Sequence, residues 1–214
     1  MTNDEKGYIQ FTCEWEPVEA VVYDRLPELI KWRRLLFEER LVGVDAQGVG
    51  YGNMSERVGA TASFVITSTQ TGHLDELDAS HYAIVTDFDV HGNRVSCRGA
   101  IKASSESLSH AILYQAAPEI GAVIHVHDSE SWERLRGRVP TTHPAAEAGT
   151  VAMADEIERL MKSTDLASRG ILVMGGHKDG LISFGRNIAD AAAVMLRACG
   201  RKVPILDGAG STSD

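Results

Sequence analysis

Cysteine is scarce in this 214-residue sequence: Cys13, Cys97 and Cys199 are odd in number, far apart, and form no CxxC pair. Neither a disulfide framework nor a thiolate zinc site is expected, and the three thiols are read as free. No apolar run approaches the roughly 18 residues that a membrane span requires. The opening MTNDEKGYIQ lacks the basic and apolar regions of a secretory signal, so a cytoplasmic protein is expected. Positive charge is also short, with 21 Lys and Arg against 30 Asp and Glu and a formal net charge of −9. Sequence-independent nucleic-acid binding depends on neutralising phosphates with basic side chains, so no nucleic-acid partner is expected. The one basic cluster, KWRRLLFEER, carries acids of its own and reads as a solvated helix face. No repeat of fixed period is visible.

What remains has the balance of a globular protein, 24% charged and 43% hydrophobic. The length suits one substantial core, and residues 1–214 are read as a single domain. Residues 8–15, YIQFTCEW, put Ile9, Phe11, Cys13 and Trp15 on one side, which predicts a strand. In LPELIKWRRLLFEERLV, Leu26, Ile30, Leu35 and Leu36 recur near helical spacing with Pro27 in the first turn, and the helix should end before Gly43. The glycine-rich DAQGVGYGNMSERVG reads as a loop leading into a strand. SFVITS, YAIVTDFD and RVSCRG read as a meander. SSESLSHAILYQAAP opens with a serine cap signal and predicts a helix closing at Pro118. GAVIHVH, GILVMGGH and GLISF read as strands; SWERLRG, GTVAMADEIERLMK and NIADAAAVMLRAC read as helices. Residues 206–214 are expected to form a mobile tail. Several strands precede the interleaved helices, so the expected fold is α/β, a three-layer αβα sandwich around a mixed, mainly antiparallel sheet.

The chemistry concentrates at GAVIHVH. Side chains two apart on a strand share a face, their Cα atoms roughly 6.5 Å apart, so His125 and His127 can converge on one ion. A packed or hydrogen-bonded pair would look the same in sequence. His177 ends another apolar run amid glycines, and three imidazoles with a vacant fourth position suit a catalytic rather than a structural zinc site. Glu106 sits in KASSES at the start of the preceding helix. Ser104 and Ser105 there can merely cap the helix, or they can help cradle a phosphate or carboxylate. Taken singly, GNMS and TQTG are only glycine-rich turns.

The order GNxS, Thr/Gly loop, SSE at a helix start, HxH and a Gly-flanked His resembles the class II aldolase/adducin family over residues 25–198. Its fuculose-phosphate aldolase, rhamnulose-phosphate aldolase and ribulose-phosphate epimerase branches share this layout. The resemblance implies that His125, His127 and His177 bind Zn²⁺, or another divalent transition metal, and that Glu106 is the acid/base carboxylate. It likewise assigns Gly52, Asn53, Ser55, Thr71, Gly72, Ser104 and Ser105 to a substrate phosphate. His110, one turn after Glu106, is read as a supporting or packing residue rather than a fourth ligand. The implied activity is that of a zinc-dependent aldolase on a small, phosphorylated, sugar-derived hydroxy-carbonyl compound. Glu in the SSE position favours lyase over epimerase. Decarboxylation, epimerisation and dehydration occur on the same framework, and an adducin-like module without catalysis is the remaining alternative. The family also implies a homo-oligomer, a tetramer in its aldolases. The sequence departs from the fuculose-phosphate enzymes in three places. The distance from HxH to the third His is shorter, the Thr/Gly loop is one residue longer, and Pro144 stands where those aldolases carry a tyrosine. Thr142 and His143 are the candidates to replace that tyrosine. The strand at 8–15 lies ahead of the usual family start and is expected to cover a sheet edge or reach a neighbouring subunit.

Overall fold

A computed structural model describes residues 9–204; Tyr8, in the predicted first strand, and the predicted tail at 206–214 lie outside the described residues. Ten strands and six α-helices make up the described chain, in the order β1 Thr12–Pro17, α1 Leu26–Glu38, β2 Gly43–Val44, β3 Gly50–Tyr51, β4 Asn53–Arg57, β5 Phe64–Thr67, β6 Tyr82–Asp89 and β7 Arg94–Gly99 in the first half. The second half holds α2 Ser107–Ala116, β8 Ala122–His127, α3 Ser129–Leu135, α4 Val151–Ser163, α5 Leu166–Arg169, β9 Ile171–Val173, β10 Gly180–Gly185 and α6 Ile188–Ala198. Eight strands make one sheet in the order β1-β7-β6-β5-β4-β8-β10-β9, and β2 with β3 forms a separate ribbon. Only β1 and β7 run parallel in the large sheet, so it is mixed and mainly antiparallel, as expected.

Two apolar layers flank the sheet. One joins α2 and α4 through Leu108, Ile112, Met153 and Ile157 to Phe64, Val85, Val123 and Ile182. The other joins α1, α3 and α6 through Leu29, Leu36, Trp132, Ala192 and Met195 to Met54, Ile84, Ile124 and Val126. The alternation within β8 is visible here: Ala122, Ile124 and Val126 face α1 and α6, while Val123 faces α2 and α4. His125 and His127 therefore share the α2 side.

The first strand begins later than its sequence pattern predicts, at Thr12, and it closes the β7 edge of the sheet in parallel register, Cys13 opposite Val95. The Trp15 indole donates to the Gly99 carbonyl at 2.9 Å and anchors this edge. Helix α1 starts with Pro27 in its first turn, where a missing N–H costs no hydrogen bond. The serine cap expected for α2 is not formed: Glu106 occupies the N-cap position and its side chain makes no capping bond. The Ser104 hydroxyl accepts instead from the Glu106 amide at 3.3 Å. Among the described residues no helix is long and apolar enough to cross a membrane.

Candidate active site

Three chain segments meet at the carboxyl end of β8. This strand ends at His127, and its antiparallel partner β10 begins opposite it, with Gly180 paired to His127 and Ile182 to His125. The hairpin between β9 and β10 holds His177, whose amide donates to Met174 at 3.2 Å and whose carbonyl accepts from Gly180 at 3.0 Å. The third histidine is thus in a tight loop past the end of β9 at Val173, and not at the end of a strand as its apolar run suggested. Gly175 and Gly176 let this loop press against residues 142–146: a Cβ on them would lie 2.2 Å from the Thr142 carbonyl oxygen and 2.0 Å from that of Ala146.

The ligating atoms offered by His125, His127 and His177 lie within 4.8 Å of one another. His125 is 1% exposed, and its Nδ1 lies 3.0 Å from the Leu181 carbonyl oxygen. A carbonyl only accepts, so Nδ1 carries the proton and Nε2 presents a lone pair to the group. The Nε2 atoms of His127 and His177 are 2.8 Å apart, and Tyr51 stacks on His127 with ring centroids 5.0 Å apart. Tetrahedral zinc with bonds of about 2.0–2.1 Å holds its nitrogens roughly 3.3 Å apart, so small adjustments would seat an ion here.

Glu106 completes the cluster from the start of α2. Its Oε1 lies 3.2 Å from His125 Nε2 and 3.4 Å from His177 Nε2. Burial pushes its carboxyl up, but the electrostatic pull of His125, together with that of His177 and His127, outweighs burial and holds it below the usual carboxylate range. Burial pushes the His125 imidazole down, while Glu106 more than compensates and raises it. Glu106 Oε2 and His125 Nε2 are buried without a hydrogen-bond partner in the described structure. Orphaned acceptors beside converging imidazoles are what a bound cation and its ligand would satisfy, so the donor set fits a divalent metal.

Next to this cluster the glycine loops come together. Gly52 has a φ of +79°. Asn53 pairs with His125 across β4 and β8, and its buried Oδ1 has no partner. A Cβ on Gly72 would lie 2.5 Å from the Gly43 carbonyl oxygen and 2.9 Å from Gly50 Cα, so this close approach needs glycine. The Thr69 amide donates to Lys102 at 2.9 Å, which sets the Thr/Gly loop beside the segment bearing Ser104 and Ser105. Arg33 of α1 is 3% exposed and donates to the carbonyls of Thr71, Gly72 and Asp75 at 3.2, 3.1 and 3.0 Å. Since a trans peptide points its C=O and N–H oppositely, the Gly72 and His73 amides face away from Arg33. Neither donates to another described residue.

The class II aldolase and adducin N-terminal domain model matches residues 28–132, the span holding the glycine loops, Glu106 and both β8 histidines. Over that span the chain is similar to the class II aldolase and adducin family. A methylthioribulose-1-phosphate dehydratase of Leptospira biflexa serovar Patoc is 24% identical over 196 residues, covering 78% of this chain and 88% of that protein. An L-fuculose 1-phosphate aldolase superposes with a TM-score of 0.60 at 22% identity, covering 85% of this chain and 86% of the other. A sugar-phosphate aldolase of Thermotoga maritima gives a TM-score of 0.61 at 16% identity, covering 83% and 92%. These likenesses establish a shared fold.

On this class II aldolase framework the predicted site residues divide. His125, His127, His177 and Glu106 come together, Asn53 opens β4 beside His125, and Gly52, Thr71, Gly72, Ser104 and Ser105 lie on the adjoining loops. Ser55 does not join them. It is fully buried inside β4, with Oγ 2.7 Å from His110 Nδ1 and 2.8 Å from the Tyr114 hydroxyl, so its hydroxyl is already committed. Thr71 also uses its hydroxyl internally, donating to the Ser68 carbonyl at 2.8 Å, and leaves backbone as its contribution. Thr142 is 1% exposed and its Oγ1 accepts from the Gly175 amide at 2.9 Å, while His143 and Pro144 are exposed. Sequence reasoning missed Tyr51 and Arg33. The aromatic inside GYGN was a usable signal for the first; nothing local marked the second, whose cluster KWRR looked solvated.

Proposed function

We propose that the chain is a zinc-dependent lyase that splits or forms a C–C bond in a small, phosphorylated, sugar-derived hydroxy-carbonyl compound. The observation that supports it best is Glu106, a buried carboxylate 3.2 Å from His125 and beside two more imidazoles whose nitrogens lie within 4.8 Å. His125, His127 and His177 would hold the metal, and three imidazoles with an open position favour zinc. Bound there, a divalent ion would supply Lewis acidity toward a carbonyl and its neighbouring hydroxyl oxygen. Glu106 takes the proton that must leave as charge moves onto the substrate and returns it to the product. Asn53 offers an unused buried amide next to His125. Backbone amides at Gly72 and His73, with Ser104 and Ser105, hold the phosphate end and so fix the reacting carbons relative to Glu106. We read the protein as a single-domain cytoplasmic homo-oligomer, a tetramer, which light scattering would test.

A second reading, dehydration, has the similarity to the Leptospira dehydratase in its favour, and the absence of a tyrosine at Pro144 leaves room for it. Both reactions need the same proton carrier. Incubating the zinc-loaded protein with phosphorylated ketoses and following products by mass spectrometry separates them. Two smaller carbonyl fragments support aldol cleavage, and a product lighter by one water supports dehydration. Glu106→Gln should abolish either. Full turnover in that variant, or no metal uptake by the wild type, would overturn the proposal.

A further inference from the structure

Of the three imidazoles, His125 is buried and oriented by the 3.0 Å bond from its Nδ1 to the Leu181 carbonyl. His127, the last residue of β8, is less buried, and its ring packs against three others. His125 and His177 meet it edge-on, with centroids 5.0 and 4.5 Å away and interplanar angles of 72° and 77°. Tyr51 meets it face-on, 5.0 Å away and tilted by 16°. The two histidines belong to the cluster itself. The tyrosine does not, and the chemistry proposed above gives it no task.

Tyr51 is fixed from three sides. Its hydroxyl reaches the Arg40 carbonyl in a long bond of 3.4 Å. Gly43 lies opposite it in the β2–β3 ribbon, and a Cβ there would come within 3.1 Å of the phenol oxygen and 3.3 Å of Cζ. On the backbone side, a Cβ on Gly72 would come within 3.1 Å of the Tyr51 amide nitrogen. The ring therefore offers His127 a plate held in place, with glycine on either side making the room for it.

Such a stack does more than fill space. An aromatic face carries negative potential and favours a second ring offset over it, as this pair is. An imidazole that binds a divalent ion takes on part of the ion's positive charge, and an aromatic face attracts cations. The contact is stronger with the metal bound than without it, and that difference adds to metal affinity. An aliphatic side chain of similar bulk would pack against the ring but would not distinguish the two states.

We infer that Tyr51 is the positioning residue for His127: its ring face sets the plane of that imidazole and raises the affinity of the three-histidine site for a divalent cation. The inference rests on the metal-binding role proposed for these histidines and extends it to a side chain outside them.

Competition between the full-length protein and a chromogenic chelator for Zn²⁺ tests this without substrate. Tyr51→Phe keeps the face and should bind zinc within about twofold of the wild type, whereas Tyr51→Leu keeps bulk but loses the face and should weaken binding by about threefold to thirtyfold. Loading with Co²⁺ gives a second reading: its visible absorption bands report ligand geometry, and they should match between wild type and Tyr51→Phe and change in Tyr51→Leu. Gly43→Ala leaves the tyrosine in the chain but crowds its ring, so it should also weaken zinc binding, and it carries the test if Tyr51→Leu does not fold. Equal affinities and spectra across these proteins would overturn the inference. So would a loss in Tyr51→Phe as large as in Tyr51→Leu, because the hydroxyl and not the face would then be responsible. A wild type that takes up no zinc would instead overturn the metal site on which the inference rests.

Discussion

Replacing Arg33 by Met should loosen the Thr71–Asp75 loop more than any other single change in α1. The guanidinium makes three hydrogen bonds to carbonyls at 3.0–3.2 Å and lies 4.7 Å from the Phe37 ring centroid. Hydrogen bonds from a charged donor contribute about 1.5–3 kcal/mol each. Against them stands the desolvation of a buried cation, several kcal/mol, which methionine does not bear. The difference is a loss of roughly 2–4 kcal/mol, or about 5–15 °C in Tm for a chain of this size. The same change releases the two peptide planes that turn the Gly72 and His73 amides outward, so inorganic phosphate should raise the Tm of the wild type and fail to raise that of Arg33→Met. Arg33→Lys should fall between, because one ammonium cannot span three carbonyls held in a fork. Differential scanning fluorimetry with and without phosphate measures both effects. A variant with wild-type Tm and wild-type response to phosphate would refute the reasoning that a buried arginine orients this loop.

Gly72→Ala should cost about 1–3 kcal/mol in urea unfolding, because its Cβ would meet only backbone, 2.5 Å from Gly43 O and 3.1 Å from Tyr51 N; Gly59→Ala, with a φ of +59° but nothing within 4 Å, should cost about 1 kcal/mol. Chelation should lower the Tm of the wild type and leave that of His125→Ala unmoved; equal responses by calorimetry would remove the metal from the proposed site. Burial pushes the His110 imidazole down to about 3, whereas the unfolded chain protonates it near 6.5. Its contribution to stability is therefore complete above the unfolded value and is lost as pH falls from there toward 3, at about 1 kcal/mol per pH unit. Unfolding curves at pH 7.5 and 5.5 should show a drop for the wild type that His110→Gln lacks.

What could be read ahead of the structure depended on whether a signal was local. Alternation in GAVIHVH put His125 and His127 on one face, and β8 bears this out because its intervening residues sink into the α1 and α6 layer. The helix start at Glu106 was recognisable, yet not that its side chain turns from capping to the histidines, since the histidines that attract it arrive from β8. Ser55 was misplaced for a geometric reason. GNMS was taken as a loop, but Asn53 and Ser55 are alternate residues of β4, and the second lies about 6.5 Å deeper, beneath α2. Arg33 and Tyr51 work through contacts to residues far along the chain, and no spacing rule within their own segments reports that.

Because two of the imidazoles belong to β8 and the third to the hairpin that zips β10 onto it, the site doubles as a gauge of strand alignment. A slip of one residue would turn both β8 rings into the aliphatic layer beneath α6 and leave His177 alone. A chain emerging from denaturant would therefore capture the cation only after this pairing had locked, and the moment of capture would time the arrival of a contact fifty residues wide.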